Sequence, residues 1–417
     1  MPPDEVRNVT IIGAGQAGSH AAQSLRKRGY DGAITILGNE GHLPYQRPPL
    51  SKAFLKGEMD EARLSFKPDS YYRDHDIRLI LSAVAESIDT DQHLVNCGDG
   101  QVVPYDRLIV ATGSTPMQIP CQGAALEGVL ALRGLDDSKA IRASLEHSND
   151  LVVIGGGYIG LEVASAARQL GHTVTIVERM PRLLSRVTSP PISDFYLDLH
   201  RERGVDIRLE DSVSEITGDA RVTAVRLESG EEIPADTVLI GIGVRPNQGI
   251  AEAAGISCDD GILVDENCRT SDKFVYAAGD CARSVMPDKT TVRLESVHNA
   301  LDQAERIAAD IVGDARPAYD PPWFWSDQYD IKLQTIGLFN DYTDIMIRGD
   351  VGAKKFSALY FREDALIAID AVNDPVSFMT GKQVFKKGIT ITREQAGAPD
   401  VSLKEIYSMV LKKETTQ

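Results

Sequence analysis

Two sets of glycines carry the chemistry this sequence is able to do. Gly13, Gly15 and Gly18 stand in Val9-Thr10-Ile11-Ile12-Gly13-Ala14-Gly15-Gln16-Ala17-Gly18. Gly155, Gly157 and Gly160 stand in Leu151-Val152-Val153-Ile154-Gly155-Gly156-Gly157-Tyr158-Ile159-Gly160. Each is an apolar run followed by G-x-G-x-x-G and a helical pattern, and the chemistry is the holding of a pyrophosphate. The first glycine allows a tight turn, the second lets backbone approach the phosphates, and the third lets helix pack on strand. The helix then offers free N–H groups and the positive end of its dipole. A ribose diol further needs a carboxylate acceptor about 20 residues past the turn. Glu40, with Asn39 beside it, and Glu178 stand at those places. Two complete units imply two dinucleotides.

The elements that must position these residues repeat. In the first unit a helical pattern (Ser19 to Arg28) leads to the strand Ala33-Ile34-Thr35-Ile36-Leu37. In the second, Leu161 to Leu170 leads to Thr173-Val174-Thr175-Ile176-Val177. Each unit goes on to a further strand (Ile77 to Leu81; Val205 to Leu209), then a meander (from Val84 to Pro104; Ala220 to Glu232). A strand entering a glycine turn closes each one (Arg107 to Gly113; Thr237 to Gly243). Helices are also expected over Tyr71 to His75, Asp136 to His147 and Ser193 to Arg203. The three prolines of His42 to Lys52 forbid a regular strand or helix through Pro49, and Ser51 reads as the N-cap of a short helix with Lys52 on its first turn. Past Arg245, a strand ending in Gly279-Asp280 and a helix from Leu294 to about Ile311 are too few for a new domain. They are read as returning to complete the first one. From Pro321 short alternating strands and closing helices suggest an antiparallel α+β domain, with both tryptophans at its entrance.

Composition excludes several classes. A chain of 417 residues is long enough for two to four domains. Its net charge of −17 argues against a nucleic-acid partner. No window approaches the ~18 uninterrupted apolar residues of a membrane span. Met1 to Arg7 lead into the first strand at once, which leaves no room for a signal or transit peptide, so a cytoplasmic protein is expected. The five cysteines form no C-x-x-C, and the eight histidines show no ligand spacing, so neither a dithiol centre nor a metal site is expected. From Thr380 to Gln417 seven Lys and Arg face four Asp and Glu. A basic end on an acidic body suggests a docking face for something acidic, with solvated lysines as the plain alternative.

These motifs resemble the glutathione-reductase-like two-dinucleotide flavoproteins, and more closely the NADH-dependent ferredoxin reductases of the putidaredoxin-reductase type. The resemblance runs over nearly the whole chain. Its most specific pieces are Arg47-Pro48-Pro49-Leu50-Ser51-Lys52, Val153 to Glu162, Gly279-Asp280-Cys281-Ala282 and Trp323-Phe324-Trp325-Ser326-Asp327-Gln328. It implies an α/β fold: two Rossmann-like FAD- and NAD-binding domains plus a C-terminal α+β domain. The implied division is 1–115 with 246–320 for FAD, 116–245 for NAD and 321–417 for the last domain. FAD would lie against Gly13, Gly15, Ala17 and Gly18, with Glu40 or Asn39 on its ribose. Arg47 and Lys52 would lie along the flavin, Lys52 near N5 and O4, and Val84 at the adenine. Ala111, Thr112, Gly113 and Arg133 would line the cofactor's middle. Asp280 would accept from the ribityl chain, and Val297 would offer its N–H to the N1 and O2 edge. NADH would lie on Gly155, Gly157, Ile159 and Gly160, with Glu178 on its diol and Gly243 near the nicotinamide. A carboxylate there repels a 2′-phosphate; Arg179 and Arg182 follow closely and are read as surface charge. In the family Glu162 faces Lys52, although one turn into a helix an acid is also common for dipole reasons.

The implied reaction takes a hydride from NADH onto the flavin and passes electrons singly to a small, acidic [2Fe-2S] ferredoxin, which feeds a haem-thiolate monooxygenase or a ring-hydroxylating dioxygenase. With no C-x-x-C, disulfide reduction is excluded. Trp325 would sit over the flavin edge or serve only as core of the last domain. Docking is assigned to Lys382, Lys386, Lys387, Lys404, Lys412 and Lys413, on a protein that is a monomer or a weak homodimer. His298 departs from the type's pattern, which has proline there; it is a candidate for making reduction pH-dependent, though such a residue more often caps a carbonyl or solvent. Other readings are a rubredoxin or monodehydroascorbate reductase of the same fold, or an NADH-sensing flavoprotein of the apoptosis-inducing-factor type. A peroxide-reducing flavoprotein would need a cysteine near Lys52, and positions 40 to 60 contain none.

Overall fold

The computed structural model describes residues 6–285, 290–398 and 401–414. Most of the N-terminal segment on which the absence of a leader was argued, and the very end of the basic stretch, lie outside the described residues. Among the described residues no helix is long and apolar enough to cross a membrane. The chain divides into two compact units: residues 1–47, 60–115 and 244–318, and residues 48–59, 116–243 and 319–417.

The first unit is built on a parallel sheet in the order Val275–Ala277, Arg107–Val110, Asn8–Ile12, Ala33–Leu37, Ile77–Ile80. Its strands are almost wholly apolar because both faces are covered. Val9 and Ile11 point to the side where the helices Gln16–Lys27 and Val297–Val312 lie together, and Ile12 points to the other. The helices meet through Ala17, Ala21 and Ala22 on one and Ala300, Ala304 and Ala308 on the other, side chains small enough for close approach. On the opposite face lies the antiparallel meander Ala85–Asp89, Leu94–Cys97, Val102–Pro104. There Thr10, buried mid-strand, donates its hydroxyl to the Pro104 carbonyl at 2.9 Å.

The second unit repeats this plan: a parallel sheet in the order Asp206–Leu209, Thr173–Glu178, Asp150–Ile154, Thr237–Ile240, Val129–Ala131, with its own meander over Val213–Gly218, Val222–Leu227 and Glu232–Pro234. It also contains a five-stranded antiparallel sheet, ordered Trp323–Gln328, Ile331–Gly337, Ala365–Val372, Lys355–Arg362, Asp344–Asp350. One face of that sheet packs under the helices Pro375–Lys386 and Leu403–Glu414. The other meets the parallel half: the Tyr360 hydroxyl, which donates to the fully buried Asp370, lies 2.8 Å from Ser189 Oγ, and Thr188 also donates to Asp370.

Several elements differ from the sequence reading. The two fingerprint helices begin at Gln16 and Tyr158, not at Ser19 and Leu161, since helical geometry starts directly after Gly15 and Gly157. The helix expected from Ser193 begins at Pro190, a first-turn position where proline has no N–H to lose. For the same reason Pro48–Ser51 forms a 3₁₀ turn through Pro49, against expectation. Ser51 ends that turn and caps no helix; its hydroxyl donates elsewhere. The strand Ile331–Gly337 was not foreseen because the turn before it, Tyr329-Asp330, has no glycine or asparagine. Tyr329 itself adopts φ +55°.

Candidate functional site

In the first unit the turn after Asn8–Ile12 is shaped by its neighbours. Gly13 has φ +116°, and a Cβ there would stand 2.1 Å from the Ala111 carbonyl oxygen. A Cβ on Gly18 would stand 2.0 Å from the Gly13 carbonyl oxygen. Protein packing therefore requires both. At Gly15 a Cβ would meet nothing within 4 Å, and the backbone is ordinary extended chain at φ −79°. Nothing in the protein accounts for a glycine there; a ligand lying on the backbone does. The helix that starts at this point has no side-chain cap and no acid in its first turn, so its N–H groups are left for an anion.

The second unit reproduces the pattern. Gly155 has φ +105°, with the Gly241 carbonyl oxygen 2.5 Å from where a Cβ would stand, and a Cβ on Gly160 would stand 2.5 Å from the Gly155 carbonyl oxygen. Gly157 is open, its nearest atom 3.9 Å away, and its helix is likewise uncapped and free of first-turn acids. Ile159 on that first turn is 42% exposed. Both cradles have the form that a pyrophosphate fits.

The remaining candidates fall out by unit. In the first, Glu40 accepts from Arg47 (2.5 Å) and from the Tyr45 hydroxyl (2.5 Å), while Asn39 is exposed. Arg47 thereby neutralises the carboxylate expected on the ribose, a pairing the sequence did not signal. Val84 is 56% exposed, unusual for a valine. Ala111, Thr112 and Gly113 follow Arg107–Val110, and the Thr112 hydroxyl donates to the Asn247 carbonyl at 2.7 Å. Asp280 accepts from Ser114 Oγ at 3.0 Å. Val297 is the first residue of a helix capped by Ser296, which accepts from the Asn299 N–H; His298, next to it, is buried.

Arg133 belongs to the second unit, where its N–H donates to Asp137 just before the helix Leu135–Leu145. Glu178 accepts from the Gly156 N–H (2.6 Å) and the Met180 N–H (2.7 Å), which fixes both its oxygens beside the glycine turn. Arg182, read as surface charge, instead donates to Ser193 Oγ and the Ser185 carbonyl. Arg179 is exposed, and Gly243 stands near Arg186.

Lys52 and Glu162, 110 residues apart, meet in this unit. The ammonium lies 2.5 Å from Glu162 Oε2 and also donates to the Pro48 carbonyl and to Ser51 Oγ, which occupies all three of its hydrogens. Glu162 is 5% exposed; Oε2 also accepts from Ser51 Oγ at 2.6 Å, and Oε1 accepts from Ser326 Oγ at 2.7 Å. Sequence reasoning missed Ser326 and Gln328, although strand alternation in the motif Trp323 to Gln328 sets them on one face with Phe324. Trp325 lies on the opposite face, its ring 5.5 Å from that of Trp323.

The six lysines expected to dock a partner lie on and beside the helices Pro375–Lys386 and Leu403–Glu414. Lys382 and Lys386 pair with Asp320, at 3.0 and 3.5 Å, so part of that charge is neutralised. Val376, Met379 and Met409 are exposed on these same helices. All five cysteines are free thiols, and burial pushes Cys268 up to about 12, far from a reactive thiolate. Among the described residues no group of His, Cys, Asp or Glu is arranged to hold a metal ion.

Comparison with known proteins places these features. Residues 7–304 match the family model for pyridine nucleotide-disulphide oxidoreductases, and residues 323–407 match a reductase C-terminal domain. The chain is 42% identical to putidaredoxin reductase of Pseudomonas putida over 96% of its own length and 97% of that protein's. It is 42% identical to rhodocoxin reductase of Rhodococcus erythropolis, covering 95% of this chain and 93% of that one. A solved covalent complex of putidaredoxin reductase with putidaredoxin superposes with a TM-score of 0.94 at 40% identity, covering 98% of this chain and 99% of that one. The family's description names a disulphide; the two cysteines nearest in this sequence, Cys258 and Cys268, stand ten residues apart, and both are free thiols. The chain belongs to the pyridine nucleotide-disulphide oxidoreductases and is a flavoprotein oxidoreductase that uses FAD and NAD(H).

Proposed function

We propose that the chain is a cytoplasmic NADH:ferredoxin oxidoreductase, passing electrons one at a time to a [2Fe-2S] ferredoxin that serves a haem-thiolate monooxygenase or a ring-hydroxylating dioxygenase. The observation that carries this is the pair of open glycines, Gly15 and Gly157, each in a cradle whose other glycines are fixed by packing. Likeness over nearly the full length to reductases named for putidaredoxin and rhodocoxin supports the choice of acceptor. The wide spacing of the five cysteines favours an outside acceptor over disulfide reduction.

Bound flavin supplies the step between a two-electron donor and one-electron acceptors. The protein's part is placement. Backbone at Gly13, Gly15 and Gly18 would hold the FAD pyrophosphate, with Glu40 or Asn39 at the ribose and Val84 at the adenine. Ala111, Thr112, Gly113, Arg133 and Asp280 would line the rest, Arg47 would stand at the ribose end with Glu40 and not along the flavin as expected, and the Val297 N–H would face the edge where negative charge collects. Gly155, Gly157, Ile159 and Gly160 would hold NADH, with Gly243 at the nicotinamide. Glu178, already anchored through two backbone N–H groups, would accept from the diol and repel a 2′-phosphate, favouring NADH. Lys52, held by Glu162, would keep a positive charge on the flavin, and Trp325 would cover its edge. The division 1–115 with 246–320, 116–245 and 321–417 is proposed for the three domains. The lysines on the two C-terminal helices, with the exposed methionines between them, are the proposed face for an acidic ferredoxin.

The test is NADH consumption with cytochrome c as final acceptor, with and without an added [2Fe-2S] ferredoxin. Strong dependence on the ferredoxin is expected. Cytochrome c reduction that ignores it would overturn the proposal.

A further inference from the structure

The carboxylate that holds Lys52 is itself the end of a longer chain of side chains, and every link in that chain points the same way. Ser326 Oγ donates to Glu162 Oε1 at 2.7 Å, and Gln328 Nε2 donates to Ser326 Oγ at 3.2 Å. With its amide nitrogen so used, Gln328 turns Oε1 toward His200 Nε2, 2.8 Å away. An amide oxygen only accepts, so the imidazole carries its proton on Nε2. Nδ1 is then the acceptor for the Tyr329 hydroxyl, 3.3 Å away. Ser326 and His200 are fully buried and Gln328 is 1% exposed.

The backbone is arranged to keep these links in register. The strand Trp323–Gln328 lies along the helix Tyr158–Leu170. Phe324 packs on Tyr158 with ring centroids 4.6 Å apart, Ser326 meets Glu162, and the Tyr329 N–H donates to Ser165 Oγ at 2.8 Å. Two strand residues advance about 6.8 Å and four helical residues about 6 Å, so one strand step of two matches one helical turn. The far end is clamped as well. Arg203 lies over the Tyr329 ring at 5.1 Å and pairs with Asp330 at 2.5 Å.

We propose that Ser326, Gln328 and His200 are positioning residues for the Lys52–Glu162 pair: a one-directional relay of donors that satisfies the second oxygen of a buried carboxylate and thereby fixes where the ammonium is held. The inference rests on the reading that Lys52 lies along the flavin. A buried carboxylate oxygen without a donor is costly, and the pair would shift to find one.

Two measurements test it on the FAD-loaded protein. Imidazole ¹⁵N NMR at neutral pH, with His200→Gln identifying the signal, is expected to show His200 as the Nε2–H tautomer, and Gln328→Leu to disturb that tautomer. Anaerobic stopped-flow reduction by NADH is expected to slow about tenfold in Ser326→Ala and His200→Phe, with NADH affinity within about twofold. His200→Gln, which keeps a donor toward Gln328, is expected to restore the rate. An Nδ1–H tautomer overturns the relay. So does unchanged reduction in both slow variants while Lys52→Met is slow. A silent Lys52→Met sinks instead the placement of Lys52 on the flavin, and the tautomer alone then decides whether the relay exists.

Discussion

Gly157→Ala separates what the fold needs from what the ligand needs. The substituted Cβ would meet no protein atom closer than 3.9 Å, and φ −81°, ψ 175° suits any L-residue. The fold should therefore change little: the unfolded chain's reduced freedom adds about 0.4–1 kcal/mol, offset by a similar loss because alanine is a poorer N-cap than glycine. The pyrophosphate, however, would be displaced from one or two backbone N–H groups. A hydrogen bond to a charged group is worth about 1.5–3 kcal/mol, so NADH affinity should fall about 10- to 100-fold. Gly155→Ala is the counterpart: at φ +105°, with the Gly241 carbonyl oxygen 2.5 Å from the new Cβ, it should lower the melting temperature outright. The assay pairs thermal melts with the KM for NADH, using ferricyanide as acceptor. If Gly157→Ala keeps the wild-type KM, or melts as low as Gly155→Ala, the open glycine is not a cofactor contact and the reasoning fails.

Gly15→Ala should behave likewise in the first unit, folding normally but losing FAD on dilution, which the ratio of 450 to 280 nm absorbance will report. His200 is buried and its pKa is lowered to about 4, chiefly by desolvation. A depressed histidine contributes stability that is complete above its unfolded value of 6.5 and is lost as pH falls toward 4. At pH 5 the loss is about 2 kcal/mol, and His200→Gln should remove that part of the acid sensitivity seen in urea titrations at pH 7.5 and 5.0. Asp370 is also fully buried, and desolvation raises its carboxyl despite hydrogen bonds from Thr335, Tyr360 and Thr188. Its stability contribution is complete below the unfolded value of 3.8 and falls as pH rises. Asp370→Asn should therefore melt higher than wild type at pH 7.5, by a margin that shrinks on acidification; a margin independent of pH would refute it.

Much of this architecture was legible because its signals are local. An apolar run, three glycines at fixed spacing and a carboxylate some 20 residues on form within one βαβ unit, so the order of residues already carries their proximity. Glu40 and Glu178 could be placed at their turns for that reason. Arg47 closing on Glu40 could not be read, since a proline-rich loop bends by tertiary packing and not by periodicity. Lys52 and Glu162 were joined only through a family resemblance; 110 residues of chain hold no local signal for a single ion pair. Ser326 and Gln328 had half a signal, the alternation of their strand. His200 had none: a histidine on an amphipathic helix looks the same whether it faces a valine or a glutamine. The hairpin at Tyr329-Asp330 could not be read because the residue at positive φ is Tyr329, and not a glycine or asparagine.

The order in which the first parallel sheet is completed bears on the protein's birth. Its edge partner Val275–Ala277 is translated after all of residues 116–243, so Arg107–Val110 leaves the ribosome with one side of its hydrogen-bonding ladder empty. At typical elongation rates of about 5–20 residues per second, that vacancy lasts on the order of 10 s. The half made first is thus finished late, and neither half can be expressed as one continuous fragment. Strains short of chaperone capacity should yield aggregated chains whose damage begins at this strand, even when the finished enzyme is stable.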